Sequence, residues 1–174
     1  DTRSVYFENM RVPAENILGN PTQGFKQFLR TLTGGRITIG ALSLGTAQGG
    51  YDAALRYSQE REAFGKAINK FQGVSFKLSD MATEIQAAKH LVYHAAWLKD
   101  NGHDVIKEAA MAKNFASKVA MDASTQCVQI FGGTGYMTET GVERLMRDAK
   151  ITQIYEGTSE IQEMIIARAL LEGK

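Results

Sequence analysis

A carboxylate set beside the mouth of a helix is the most chemically suggestive feature of this sequence. In Ile151-Thr152-Gln153-Ile154-Tyr155-Glu156-Gly157-Thr158-Ser159-Glu160-Ile161-Gln162, Gly157 permits a tight turn because it has no Cβ to forbid positive φ. Ser159 and Gln162 fit the S/T-x-x-E/Q capping box, which starts a last helix at Ser159. Ile161, Ile165, Ile166 and Ala169 then recur at helical spacing. Glu156 sits just outside that cap, behind Tyr155, Ile154 and Ile151, apolar company that shields a carboxylate from water. A carboxylate so placed is a candidate proton-abstracting base. On local features alone, the simpler reading is a surface acid near a positive helix end, worth about 0.3–1 kcal/mol to the helix.

Two further groups carry possible chemistry. Arg61-Glu62-Ala63-Phe64-Gly65 puts a guanidinium and an aromatic ring beside a flexible turn, with Gln72 downstream. Arg61 could pair bidentately with a pyrophosphate, and Phe64 could pack on an adenine or flavin. Gly132-Gly133-Thr134-Gly135 could let backbone N–H groups approach a phosphate or ribose. It lacks a preceding strand and a Walker lysine, so a helix-ending turn is the plainer reading. His90 and His94 share a helix face, but no glutamate stands between them as a zinc-protease motif requires. Cys127 falls in a helical pattern and reads as a small buried hydrophobe.

These residues need long helices to hold them. The 174 residues, 44% hydrophobic and 22% charged, suffice for a domain with a core. Twenty Lys plus Arg against 19 Asp plus Glu give no field favouring nucleic acid or acidic membranes. No signal-peptide pattern opens the chain, and no apolar run is long enough to span a membrane. The only two prolines are Pro13 and Pro21, so nothing from Thr22 onward forbids long helices. The pattern predicts helices over about 24–61, 74–101, 105–131 and 141–149, followed by the one at Ser159.

In the first, Phe25, Phe28, Leu32, Ile39, Leu42 and Leu44 form a stripe, while its many glycines imply close approach by another helix or a ligand. Gly65 suits a left-handed cap at its end. The expected fold is all-α, an antiparallel four-helix bundle over 21–174. Residues 1–20 alternate like a strand and read as the tail of another domain.

Three segments match one known pattern in order and spacing: Gln59-Glu60-Arg61-Glu62-Ala63-Phe64-Gly65-Lys66, Gln129-Ile130-Phe131-Gly132-Gly133-Thr134-Gly135-Tyr136 and Tyr155-Glu156-Gly157-Thr158-Ser159-Glu160-Ile161-Gln162. Over the whole chain the sequence resembles the acyl-CoA dehydrogenase family, above all its short-chain, butyryl-type members. The resemblance implies oxidation of an acyl-CoA to the trans-2-enoyl-CoA, with Glu156 removing the α-proton while a β-hydride passes to FAD. It makes Arg61, Gln72, Gln129, Ile130, Phe131, Gly132, Gly133, Thr158, Ser159 and Glu160 cofactor contacts, with Phe64 beside them. Gly157 and Arg36 match substrate contacts, and Thr33 stands where the family commonly has Asp.

The resemblance also implies a homotetramer, an electron-transferring flavoprotein as acceptor, and a cytoplasmic or, in a eukaryote, mitochondrial-matrix location. Against the family pattern the N-terminal helical domain and most of the middle β domain are missing, which implies that this piece alone is inactive. A non-catalytic oligomerisation bundle, or an oxidase or decarboxylating relative, are the alternatives.

Overall fold

A computed structural model describes residues 3–173. Contacts divide the chain after Thr31 into two compact units. In the first, single 3-10 turns at Ala14–Asn16 and Pro21–Gln23 precede the start of α1 (Gly24–Glu60). Asn20 caps the second turn, its Oδ1 accepting from Thr22 N at 2.9 Å. The alternating stretch at Val5–Met10 forms no strand here. Asn9 takes a left-handed φ of 49° that interrupts the alternation, and a strand exists only through a pairing partner.

The second unit contains α2 (Gln72–Asp100), α3 (Ile106–Phe131), α4 (Val142–Thr152) and α5 (Ser159–Leu171), besides the remainder of α1. The helical segments expected from the sequence appear within a few residues of their predicted limits. α3 is the central element, packing against α2, α4 and α5. Its buried face runs from Ala109 through Ala116 and Val119 to Cys127 and Ile130. α2 meets it with Met81, Ile85, Ala88, Val92 and Ala95, the stripe its 3-4 spacing implied. Burial pushes the Cys127 thiol up to about 11, as befits an inert packing residue.

α1 buries the expected stripe only in part. Leu32, Ile39 and Leu44 are half-buried and Phe25, Phe28 and Leu42 exposed, while the fully buried positions include Gly40, Ser43, Ala47, Gly50, Ala54 and Ser58. The glycines explain this. A Cβ on Gly40 would stand 3.2 Å from Val92 Cγ2 and 3.5 Å from the Ala112 backbone, so α1 lies close on α2 and α3 along a seam of small side chains.

The end of α1 also differs. Gly65 does not cap the helix but closes a hairpin between β1 (Glu62–Ala63) and β2 (Lys66–Ala67), paired Glu62 to Ala67 and Ala63 to Lys66. Phe64 (φ 51°) and Gly65 (φ 78°) are both left-handed, the geometry of a type I′ turn, whose twist matches that of its strands.

Candidate active site

The turn between α4 and α5 is built by backbone bonds at both sides. Ile154 N and Tyr155 N donate to Ile151 O at 2.9 and 3.1 Å, ending α4, and Ser159 N donates to Gln153 O at 3.0 Å, closing the loop. Between them Glu156 (φ 55°) and Gly157 (φ 89°) are left-handed. For a glutamate that conformation costs on the order of 1–3 kcal/mol and persists only where its surroundings over-determine it.

The predicted capping box is shifted by one residue. Thr158 is the N-cap, its Oγ1 accepting from Ile161 N at 3.5 Å, and Ser159 is the first helical residue. The third helical position is then Ile161, which has no polar group to return a bond. Gln162 is buried and serves the turn instead. Its Nε2 donates to Gly157 O at 2.8 Å and Glu156 O at 3.3 Å, pairing two carbonyls of the turn.

The Glu156 carboxylate lies flat against Gly35 of α1. A Cβ there would stand 2.6 Å from Oε2 and 3.0 Å from Cδ, so only glycine leaves room. Oε2 is shielded from solvent and has no hydrogen-bond partner, and Arg36 Nε on the next residue of α1 is in the same condition. Arg36 is only 7% exposed. Burial lowers its pKa from the ordinary value, and the negative charge of Glu156 opposes that fall.

Lys113 of α3 is buried completely, its Nζ donating to Gly157 O at 2.6 Å. Burial pushes its pKa down to about 8; Arg36 adds to the fall, while Glu156 and Glu160 oppose it. Glu160, at the start of α5, is held below the usual carboxylate range by its own backbone amide and by the Thr158 hydroxyl. Burial, then the charges of Glu156 and Asp148, raise the Tyr155 hydroxyl. Chemically, this is a carboxylate with one unpartnered buried oxygen, two cations near it, and a helix surface stripped of side chains beneath it. Such an arrangement suits removal of a proton from a ligand lying along α1.

A second group of predicted residues meets elsewhere. A cleft of about 360 Å³ is lined by Tyr57, Arg61, Ile68, Ile130, Phe131, Gly132, Gly133 and Thr134. Its wall is a stack of Tyr57 on Phe131, centroids 4.1 Å apart, with Tyr57 Oη 3.3 Å from Thr134 Oγ1. Arg61 and Ile130 to Gly133 are thus brought together. Gln129 is exposed on the last turn of α3, and Gln72 opens α2.

Phe64 is 96% exposed at the hairpin tip, edge-on to Phe71 at 6.2 Å. Thr33, half-buried, stands one turn before Arg36 on α1. A larger, mostly apolar cleft of about 490 Å³ between α2, α3 and α5 has Ser159 among its lining and does not include Glu156. His90 pairs with Gln86 at 3.0 Å, and no group of three potential metal ligands occurs among the described residues.

The sequence reading passed over Gly35, Lys113, Tyr57 and the turn-clamping role of Gln162. Lys113 did carry a signal: it is in phase with Ala109, Ala116 and Ala120 on the inner face of α3, where a lysine is out of place.

Residues 22–171 match the family model for the acyl-CoA dehydrogenase C-terminal domain. The chain belongs to the acyl-CoA dehydrogenase family. It is 56% identical, over 99% of its length and 45% of the relative's, to the Bacillus subtilis protein named "Probable acyl-CoA dehydrogenase YngJ". Butyryl-CoA dehydrogenase from Megasphaera elsdenii superposes with a TM-score of 0.93 at 53% identity, covering 95% of this chain and 43% of that one. A chain from work on the electron transferring flavoprotein of Acidaminococcus fermentans, concerned with flavin-based electron bifurcation, gives 0.94 at 55% identity, again covering 95% and 43%. This chain therefore spans somewhat under half the length of the relatives it matches. No helix among the described residues is long and apolar enough to cross a membrane.

Proposed function

We propose that the protein containing this chain is an FAD-dependent acyl-CoA dehydrogenase that oxidises a short-chain acyl-CoA to the trans-2-enoyl-CoA, with Glu156 as the α-proton base. The observation that carries the proposal is the Glu156 carboxylate lying on the bare surface of Gly35 with Oε2 buried and unpartnered. An acyl thioester running along α1 from Thr33 and Arg36 would bring its α-carbon to that carboxylate, and Gly157 would border the acyl group. The likeness to a butyryl-CoA dehydrogenase at 53% identity supports the short chain length.

The cleft beside α3 fits one end of an FAD. Arg61 offers a guanidinium for pyrophosphate, Gly132 and Gly133 leave their backbone open to close approach, and the Tyr57–Phe131 stack offers a flat wall. Gln72, Gln129 and Phe64 rim the same end of the bundle, and Thr158, Ser159 and Glu160 would meet the cofactor near the base. Bound flavin supplies the acceptor for the β-hydride. The chain's own part is to hold the acyl group and take up the α-proton on the Glu156 carboxylate.

A homotetramer in which one subunit's Arg61 cleft completes a neighbour's cofactor site accords with a cleft whose lining does not include Glu156 or Thr158 to Glu160. The Acidaminococcus match supports an electron-transferring flavoprotein as acceptor. A bacterial source, as for the relatives named above, would put the enzyme in the cytoplasm.

The test is Glu156→Gln in the full-length protein. Flavin absorbance should be unchanged, and butyryl-CoA-dependent dye reduction should fall by at least about a thousandfold, as loss of a general base implies. Substantial retained turnover would remove Glu156 from the role.

A further inference from the structure

Lys113 is the only buried lysine among the described residues, and nothing in the packing of α3 calls for a charge there. Its neighbours on the same face are Ala109, Ala112 and Ala116, around which a methionine would fill the space equally well. A buried ammonium is unfavourable unless it is paired and hydrogen-bonded. Its partner is a particular one. The Gly157 carbonyl that accepts from Lys113 Nζ at 2.6 Å also accepts from Gln162 Nε2 at 2.8 Å. Both lone pairs of that oxygen are engaged, immediately after two consecutive left-handed residues, the first being Glu156 itself. Gln162 further holds the Glu156 carbonyl at 3.3 Å.

We infer that Lys113 is a positioning residue for the Glu156 base, fixing the Glu156–Gly157 turn through the Gly157 carbonyl. The inference rests on the reading of Glu156 as the base. Lys113 acts through the turn and touches no reacting atom. The charged groups that bear on it are Arg36 from α1, Glu156 in the turn and Glu160 from α5; no charged group of α2 or α4 is among them. Arg36 and Lys113 thus approach the one carboxylate from two different helices.

Two full-length, FAD-loaded variants test the clamp. Lys113→Met removes it. It should leave flavin absorbance and the KM for butyryl-CoA within about twofold of wild type, while kcat falls roughly 10- to 100-fold, the scale of a base displaced by a fraction of an ångström. Lys113→Gln restores a donor to the Gly157 carbonyl and should recover part of kcat.

Wild-type kcat in Lys113→Met would overturn the inference. So would failure of both variants to form a flavin-loaded enzyme, since the lysine would then serve the fold and not the base. Glu156→Gln, assayed alongside, keeps the two readings apart. An inactive Glu156→Gln with a fully active Lys113→Met sinks only the positioning role. An active Glu156→Gln removes the base assignment and the inference with it.

Discussion

Glu156 is constrained from both sides: its backbone is held in a conformation most residues avoid, and its carboxylate rests on the one kind of residue that leaves it room. That makes Gly35 a sharper probe than any charged neighbour. Gly35→Ala adds a single methyl, which would stand 2.6 Å from Oε2, so the carboxylate has to swing away. Because a displacement near 1 Å at a reacting group costs about 100-fold, kcat should fall by that order while flavin content stays unchanged. Stopped-flow flavin bleaching with butyryl-CoA measures it, and an undiminished rate would mean that the carboxylate can work from another rotamer.

At this scale the sequence was partly legible. The Glu156 turn was readable because its residues and the helix start that follows are local in the chain. Gly35 was readable only as one glycine among many, since the oxygen it accommodates lies far off in sequence. Gln162 misled because capping-box spacing is satisfied by Ser159 in the sequence, while the N-cap is Thr158, one residue earlier, and the Gln162 amide turns inward.

Helix existence and approximate limits were legible from hydrophobic period and breakers, but which face of α1 meets the core was not. Bulky residues at helical spacing suggested one stripe. The buried face is the seam of Gly40, Ser43, Ala47 and Gly50, chosen by how closely α2 and α3 approach. Likewise Gly65 reads equally as a helix cap or a hairpin turn, and only the pairing of β1 with β2 decides.

The junction after α3 shows the converse, a glycine whose local conformation is the point. Gly132 has φ 65° and ψ −142°, a region that side chains exclude, and it turns the chain from α3 into the 3-10 segment Gly132–Tyr136 that lines the Arg61 cleft. Gly132→Ala should strain that turn by roughly 1–3 kcal/mol and weaken FAD retention by about tenfold or more. Its backbone site has open space around it, so no packing clash contributes. Flavin released on gel filtration of the full-length variant reads the effect; FAD held as tightly as in wild type would separate this loop from the cofactor.

At the level of the molecule, the chain carries Glu156, its clamp and the Arg61 cleft, and it spans 43% of the butyryl-CoA dehydrogenase it superposes on. Several large apolar side chains of its second unit face solvent, among them Phe64, Phe76, Trp97, Met164 and Leu171. Residues of this kind, grouped on a surface, mark places where other protein or a ligand packs.

Expressed alone, the 174-residue chain should therefore bind a hydrophobic fluorescent dye, self-associate in light scattering and give no butyryl-CoA-dependent dye reduction, even with FAD added. The full-length protein should show the reverse on all three measurements. A well-behaved, dye-negative and catalytically competent fragment would mean that the missing length contributes neither cover for these residues nor the remainder of the flavin site. In that event the two clusters described above would have to make up the whole active centre.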